Sequence, residues 1–221
     1  MAAADEHLLG GVVMARTVAI GKQDFGNLIE NNCFYVDKTN FIKEWWENCD
    51  DVTLITRPRR FGKTLTLSMA DYFFSVTHVH EGNLFEGLSI WKEEKYKKLQ
   101  GTYPVIFLSF ADIKENEFIY AYRKIAQVLA DVYNSNDFLI NSDKLTDQDK
   151  KFFKMVDRDM STDVAAISLK KLSDFLRKHY GKRPIILLDE YATPMQEAYV
   201  YGYWDEMRRF TRRFFISTFK T

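Results

Sequence analysis

Three short runs of continuous apolar, largely β-branched residues punctuate the chain: Val52 to Thr56 (VTLIT), Val105 to Phe110 (VIFLSF) and Pro184 to Asp189 (PIILLD). Each is strand-sized and bounded by polar or turn residues. Because the hydrophobicity is continuous rather than alternating, both faces of each strand are expected to be covered, as in a parallel sheet. Between these runs the period changes. Leu65 to Phe74 reads as a helix, and Phe118, Tyr122, Ile125, Leu129 and Val132 recur at helical spacing across Glu117 to Tyr133. From Thr162 to Tyr180 a stripe of Val164, Ile167, Leu172, Phe175, Leu176 and Tyr180 predicts a further helix, with a cap at Ser161 to Asp163 and a stop at Gly181. Upstream, Cys33 to Asp37 reads as a short strand and Thr39 to Asn48 as a helix whose adjacent Trp45 and Trp46 fall on different faces. The connector Thr77 to Pro104 carries Gly82, Gly87, Gly101 and the charged run WKEEKYKK, which reads as a solvated helix face or loop. Strand alternating with helix predicts an α/β architecture with one mainly parallel sheet.

Composition narrows the class. With 221 residues the chain is domain-sized, and 46% hydrophobic and 15% aromatic content excludes intrinsic disorder. Lys plus Arg and Asp plus Glu number 31 each, so no global field draws the chain toward nucleic acid or anionic membrane. The two cysteines, Cys33 and Cys49, lack zinc-site spacing and read as reduced thiols of a cytoplasmic protein. No apolar run approaches the ~20 residues of a membrane helix. The acidic start lacks the pattern of a secretory signal, and residues 1–15 are expected to be a disordered or non-native extension. His78 and His80 have no third ligand nearby and read as surface residues.

After the first run comes Arg57-Pro58-Arg59-Arg60-Phe61-Gly62-Lys63-Thr64 and then the helix-forming LTLSMADYFF. Strand, loop and helix in this order are the layout of a phosphate-binding P-loop. Gly62, Lys63 and Thr64 supply the end of that device: backbone N–H groups at a helix start, a cation for the β/γ oxygens and a hydroxyl for Mg²⁺. The first glycine of the usual pattern is replaced by Arg57. A bare Gly-Lys-Thr or Gly-Lys-Ser triplet arises by chance in roughly one chain in ten of this size, so it needs corroboration. Corroboration comes from Ile185-Ile186-Leu187-Leu188-Asp189-Glu190, four apolar residues followed by two acids. In a Walker B strand of this form the Asp holds the Mg²⁺ shell and the following Glu polarises the attacking water.

The phrases YVDKTNFI (Tyr35 to Ile42), TRPRRFGKT (Thr56 to Thr64), LFEGLSIW (Leu84 to Trp91), PVIFLSF (Pro104 to Phe110) and LLDEYATP (Leu187 to Pro194) together resemble the bacterial AAA-ATPase-like family. In that family a P-loop ATPase domain is often joined to a restriction-endonuclease-like nuclease domain. The resemblance covers residues 16–221 and implies a three-layer αβα P-loop NTPase sandwich of the ASCE type, in a cytoplasmic protein. It implies ATP and Mg²⁺ as cofactors, with Phe61, Gly62, Lys63, Thr64 and Asp189 around the nucleotide; Arg59 and Arg60 read either as contacts to phosphate or a neighbouring subunit or as solvated or structurally paired residues beside the loop. Thr64 and Asp189 would hold Mg²⁺, and Lys63 and Glu190 would be catalytic. For Asp37 and Lys38 it implies a role near the nucleotide or in bracing the loop. The partners implied are ATP, nucleic acid through the associated nuclease, and further copies of the chain, with no membrane.

Two departures from the family pattern stand out. Ala192 replaces the second Asp of D-E-Y-D-x-P, which separates hydrolysis from binding. The family also continues into further core strands, so residues 16–221 are expected to form a domain incomplete at its C-terminal end, with reduced stability or self-association. Two alternatives to an ATPase stay open: a nucleotide-binding regulatory or nucleic-acid-associated module without hydrolysis, and a P-loop kinase, against which Glu190 directly after Asp189 argues. Arg208, Arg209, Arg212 and Arg213, interleaved with Phe210, Phe214 and Phe215, predict a basic amphipathic helix. It either meets nucleic acid or packs its aromatic face inward with the arginines in water.

Overall fold

A computed structural model describes residues 17–56, 58 and 61–219. The expected extension at residues 1–15 therefore lies outside the described residues. In chain order the helices are α1 (Phe25–Glu30), α2 (Asn40–Asn48), α3 (Lys63–Phe74), α4 (Glu94–Lys97), α5 (Phe118–Asn134), α6 (Asp147–Phe153), α7 (Thr162–Tyr180), α8 (Thr193–Tyr201) and α9 (Trp204–Phe219). The strands are β1 (Val105–Ser109), between α4 and α5, and β2 (Ile185–Asp189), between α7 and α8. They pair in parallel, from Val105 opposite Ile185 to Ser109 opposite Asp189.

Continuous hydrophobicity in these strands has the predicted cause. Alternate residues point to opposite faces, and each face meets its own apolar cluster. Ile106, Leu108, Ile186 and Leu188 join a cluster built with α5, α7 and α9. Val105, Phe107, Ile185 and Leu187 join the other, built with α1, α2 and α3 around Phe25, Ile42, Phe73 and Phe74.

The bounds of the helices follow the sequence signals closely. Ser161 caps α7 by accepting a hydrogen bond from the Val164 amide, and Gly181 ends it at φ 73°. The buried stripe of α7 is Ala165, Ala166, Ser168, Leu169, Leu172, Phe175 and Leu176, whereas Ile167 and Tyr180 are exposed. The stripe is therefore rotated from the expected one: Ala165 and Ala166 are buried, and the Ser217 hydroxyl of α9 donates to the Ala166 carbonyl at 2.6 Å. α9 buries Met207, Phe210, Thr211 and Phe214 and leaves its arginines exposed, with Arg213 paired to Asp163 at 2.6 Å. Its aromatic face packs inward. No helix among the described residues is long and apolar enough to cross a membrane.

Several expectations are corrected. The described residues contain a two-stranded sheet, so the α/β class stands while the wider sheet of a P-loop sandwich is not seen. Val52 to Thr56 forms no strand: Val52 and Leu54 are 64% and 60% exposed. A strand exists by pairing, and among the described residues the only sheet is β1 with β2; this segment instead lines a cavity of about 1110 Å³ that residues of β2 also line. Cys33 to Asp37 forms no strand either; among the described residues its backbone contacts include one bond from the Phe34 amide to the Thr17 carbonyl. Trp45 and Trp46 both reach one ring, Phe74, at 5.4 and 5.7 Å, because long indoles 100° apart can flank a single neighbour. In the charged connector Tyr96 is buried, so that run is not simply solvated. His78 is half-buried, stacked on Tyr72 at 4.1 Å, while His80 is exposed. Cys33 is buried and Cys49 exposed, both as free thiols.

Candidate functional site

The segment Phe61-Gly62 leads into α3, whose first residue is Lys63. Gly62 occupies the N-cap position at φ 76°, ψ 30°, a left-handed conformation that side chains with a Cβ rarely adopt. Its carbonyl accepts bonds from the Thr66 amide and the Thr66 hydroxyl, both at 2.9 Å, which lock the first turn. The first amides of any helix lack intrahelical acceptors, so this start presents donors outward.

Opposite the first turn stands the C-terminal end of β2. The Thr64 hydroxyl donates to Asp189 Oδ2 at 2.9 Å, joining residues 125 apart in sequence. Asp189 is only 5% exposed, and that burial pushes its carboxyl up from the usual range. The Thr64 hydrogen bond and the Lys63 charge pull the other way, while the Glu190 charge adds to the rise. Lys63 and Glu190 are half-buried. Glu190 has φ 48°, in the left-handed region although it is not glycine. Its carbonyl accepts the Thr193 amide at 3.0 Å, turning the chain sharply from β2 into α8.

Sequence-predicted residues thus converge in part. Gly62, Lys63, Thr64, Asp189 and Glu190 meet where α3 starts and β2 ends, and Lys63, Asp189 and Glu190 line the same cavity. Phe61 is adjacent but 58% exposed, contributing its carbonyl rather than its ring. Arg59 and Arg60 lie outside the described residues. Ala192 is the N-cap of α8, a position where a side-chain oxygen would accept helix amides and where alanine makes no such bond.

A brace behind the loop was legible only through the phrase YVDKTNFI. Lys38 Nζ donates to the Phe61 carbonyl at 3.0 Å, 23 residues away in sequence. The preceding Asp37 accepts the Thr39 amide at 2.9 Å and hydroxyl at 2.7 Å on one oxygen, and the Ser89 amide at 2.7 Å on the other. Buried Thr39 in turn accepts the Ile90 amide at 3.1 Å. Partial burial pushes the Asp37 carboxyl up, but the bonds from Ser89 and Thr39 together outweigh it and hold it below the ordinary 3.8. Spacing carried no signal for Ser89.

Comparison with known proteins gives one family. The model of a family described as AAA-ATPase-like, "Predicted AAA-ATPase", matches residues 19–221. No curated protein and no solved structure matches the chain.

Proposed function

The chain belongs to the AAA-ATPase-like family of predicted AAA-ATPases, and from that premise we propose that it binds Mg-ATP at the junction of α3 and β2. The observation that supports this most directly is the Thr64–Asp189 hydrogen bond at 2.9 Å. It holds together a hydroxyl and a buried carboxylate, both oxygen donors suited to Mg²⁺. Among the described residues no three His, Cys, Asp or Glu side chains converge as a metal cage. An ion held by Thr64 and Asp189 would thus complete its shell with phosphate oxygens and water, the usual arrangement for Mg²⁺ in phosphoryl transfer. When bound there, the ion would neutralise charge developing on the phosphate oxygens.

The protein's own groups have separable roles. Lys63, at the helix start, supplies a point charge for the β/γ-phosphates, and the amides of the first turn orient them. Asp189 and Thr64 hold the metal. Glu190, the next residue along, is the group proposed to polarise an attacking water. Its left-handed backbone conformation is strained for a non-glycine residue, and such strain tends to accumulate where a side chain is aimed for function. Arg59 and Arg60 are proposed as further phosphate contacts. Nucleic acid, an associated nuclease domain and self-association rest on the family resemblance alone.

A second reading, nucleotide binding without turnover, is favoured by one observation. Ala192, the N-cap of α8 two residues after Glu190, stands where the family pattern carries a second acid, so a carboxylate is missing beside the group proposed to polarise water.

Thermal melts with and without Mg-ATP, beside Lys63→Ala, test the binding. Ligand at about a hundredfold over its Kd adds ~2.7 kcal/mol, or roughly 5 to 11 °C for a domain of this size. The expected result is a shift of that order in the wild type that Lys63→Ala loses; no shift in the wild type refutes the proposal. Phosphate release then separates the two readings: turnover abolished by Glu190→Gln supports the ATPase, and a silent wild type supports binding alone.

A further inference from the structure

The Lys38 bond ends on the peptide between Phe61 and Gly62, the one whose orientation decides what the loop presents to an anion. We propose that Lys38 is a positioning residue that locks this peptide with its carbonyl turned out of the phosphate site. The inference deepens the nucleotide-binding reading and rests on it for its consequence, although the lock itself is a property of the free protein.

The argument runs through peptide geometry. In a planar trans peptide the carbonyl oxygen and the amide hydrogen point in opposite directions. Lys38 Nζ holds the Phe61 oxygen at 3.0 Å, so the Gly62 N–H is directed away from Lys38. Rotation of the whole peptide would reverse both groups, placing a carbonyl where a phosphate needs a donor. At most positions side-chain sterics resist that rotation, but Gly62 accepts both signs of φ with little penalty. The residue that lets the chain adopt φ 76° therefore also removes the local barrier to flipping. Something else must choose the orientation, and an ammonium bound to the carbonyl does so with a charge-assisted bond.

The supports of Lys38 are stiff in the way this requires. Asp37 is tied on both oxygens to Thr39 and Ser89, and buried Thr39 is tied to Ile90, so the backbone carrying Lys38 is anchored to the segment Ser89–Lys92. The ammonium lies against the open side of Gly62: a Cβ there would come within 2.9 Å of Nζ. Glycine at 62 is thus needed twice, for its backbone and for the space the lysine occupies.

Because only the fraction of molecules in the competent orientation binds, loss of the lock weakens every phosphate ligand by the same factor. A direct contact with the terminal phosphate would instead weaken ATP alone. The experiment compares Lys38→Met and Lys38→Arg with the wild type in two measurements. The first is amide NMR of the free protein, reading the chemical shift and millisecond exchange broadening of Gly62 and Lys63. The second is the Kd of Mg-ATP and of Mg-ADP by calorimetry. Lys38→Met is expected to shift and broaden Gly62 and to weaken ATP and ADP equally, by about tenfold. Lys38→Arg, which keeps a donor, is expected to restore both.

An unperturbed Gly62 resonance in Lys38→Met overturns the lock. So does a loss confined to ATP, which would make Lys38 a phosphate ligand. If the wild type binds neither nucleotide, the proposed function fails while the NMR comparison still decides the lock. Should Lys38→Met not fold, Asp37→Asn, which leaves the ammonium but loosens its anchor, is measured in its place, with Gly62 broadening expected and its absence counting against the proposal.

Discussion

Replacing Gly62 by alanine tests the loop geometry most sharply, because its cost divides into parts that a second glycine measures separately. A left-handed residue with a Cβ costs about 1 to 2 kcal/mol, and the stiffer unfolded chain gives back about 0.4 to 1 kcal/mol. Gly181, at φ 73°, has nothing within 4 Å of an added Cβ, so Gly181→Ala should show this backbone cost alone, about 1 kcal/mol. At Gly62 the added Cβ meets Lys38 Nζ at 2.9 Å. The ammonium sits at the end of a flexible side chain and can retreat, but only by loosening its bond to the Phe61 carbonyl, a further loss of about 1 kcal/mol. Gly62→Ala should therefore melt ~4 to 8 °C below the wild type and Gly181→Ala only ~2 to 4 °C below it. Calorimetric melts of the three proteins, with titration by Mg-ATP, decide the matter. Nucleotide affinity should fall in Gly62→Ala and hold in Gly181→Ala. Equal melting temperatures for the two variants, with unchanged affinity in both, would refute the geometry.

Two further outcomes follow from buried and titrating groups. Tyr133, 1% exposed, donates its hydroxyl to the Ser168 carbonyl at 2.8 Å, so Tyr133→Phe should lower stability by about 1 kcal/mol in urea unfolding; no change would mean the bond adds nothing over packing. Asp37 is held below its ordinary 3.8, so its contribution is present above that value and is lost as pH falls through the lower folded-state pKa. The gap in urea midpoint between wild type and Asp37→Asn should be full near about pH 6, begin to narrow near about pH 4 and close only below the folded-state pKa, and a gap still constant at about pH 2 would show that the carboxylate charge is not what the Ser89 and Thr39 bonds recognise.

What could be read from the chain alone is what depends on neighbours in sequence. The bounds expected for the helix from Thr162 to Tyr180 are those of α7, because its cap at Ser161 and its stop at Gly181 are local, whereas its buried stripe departs from the expected one at Ile167 and Tyr180. The runs Val105 to Phe110 and Pro184 to Asp189 contain β1 and β2, since residues covered on both faces must be apolar throughout. Gly62, Lys63 and Thr64 were visible as a motif, as were Asp189 and Glu190.

Tertiary structure decided the rest. Val52 to Thr56 has the same apolar, β-branched character as the other two runs, yet it forms no strand, because a strand needs a partner and among the described residues β1 and β2 pair only with each other. Whether Thr64 and Asp189 touch could not be deduced from either motif, since 125 residues separate them and only the packing of α3 on the sheet brings them to 2.9 Å. The same holds for the grip of Lys38 on Phe61 and of Asp37 on Ser89. Those bonds join surfaces that are unrelated in sequence until folding has buried the helices between them. Local propensity and periodicity set the elements, and long-range burial and hydrogen bonding set which of them exist as pairs and which side chains meet.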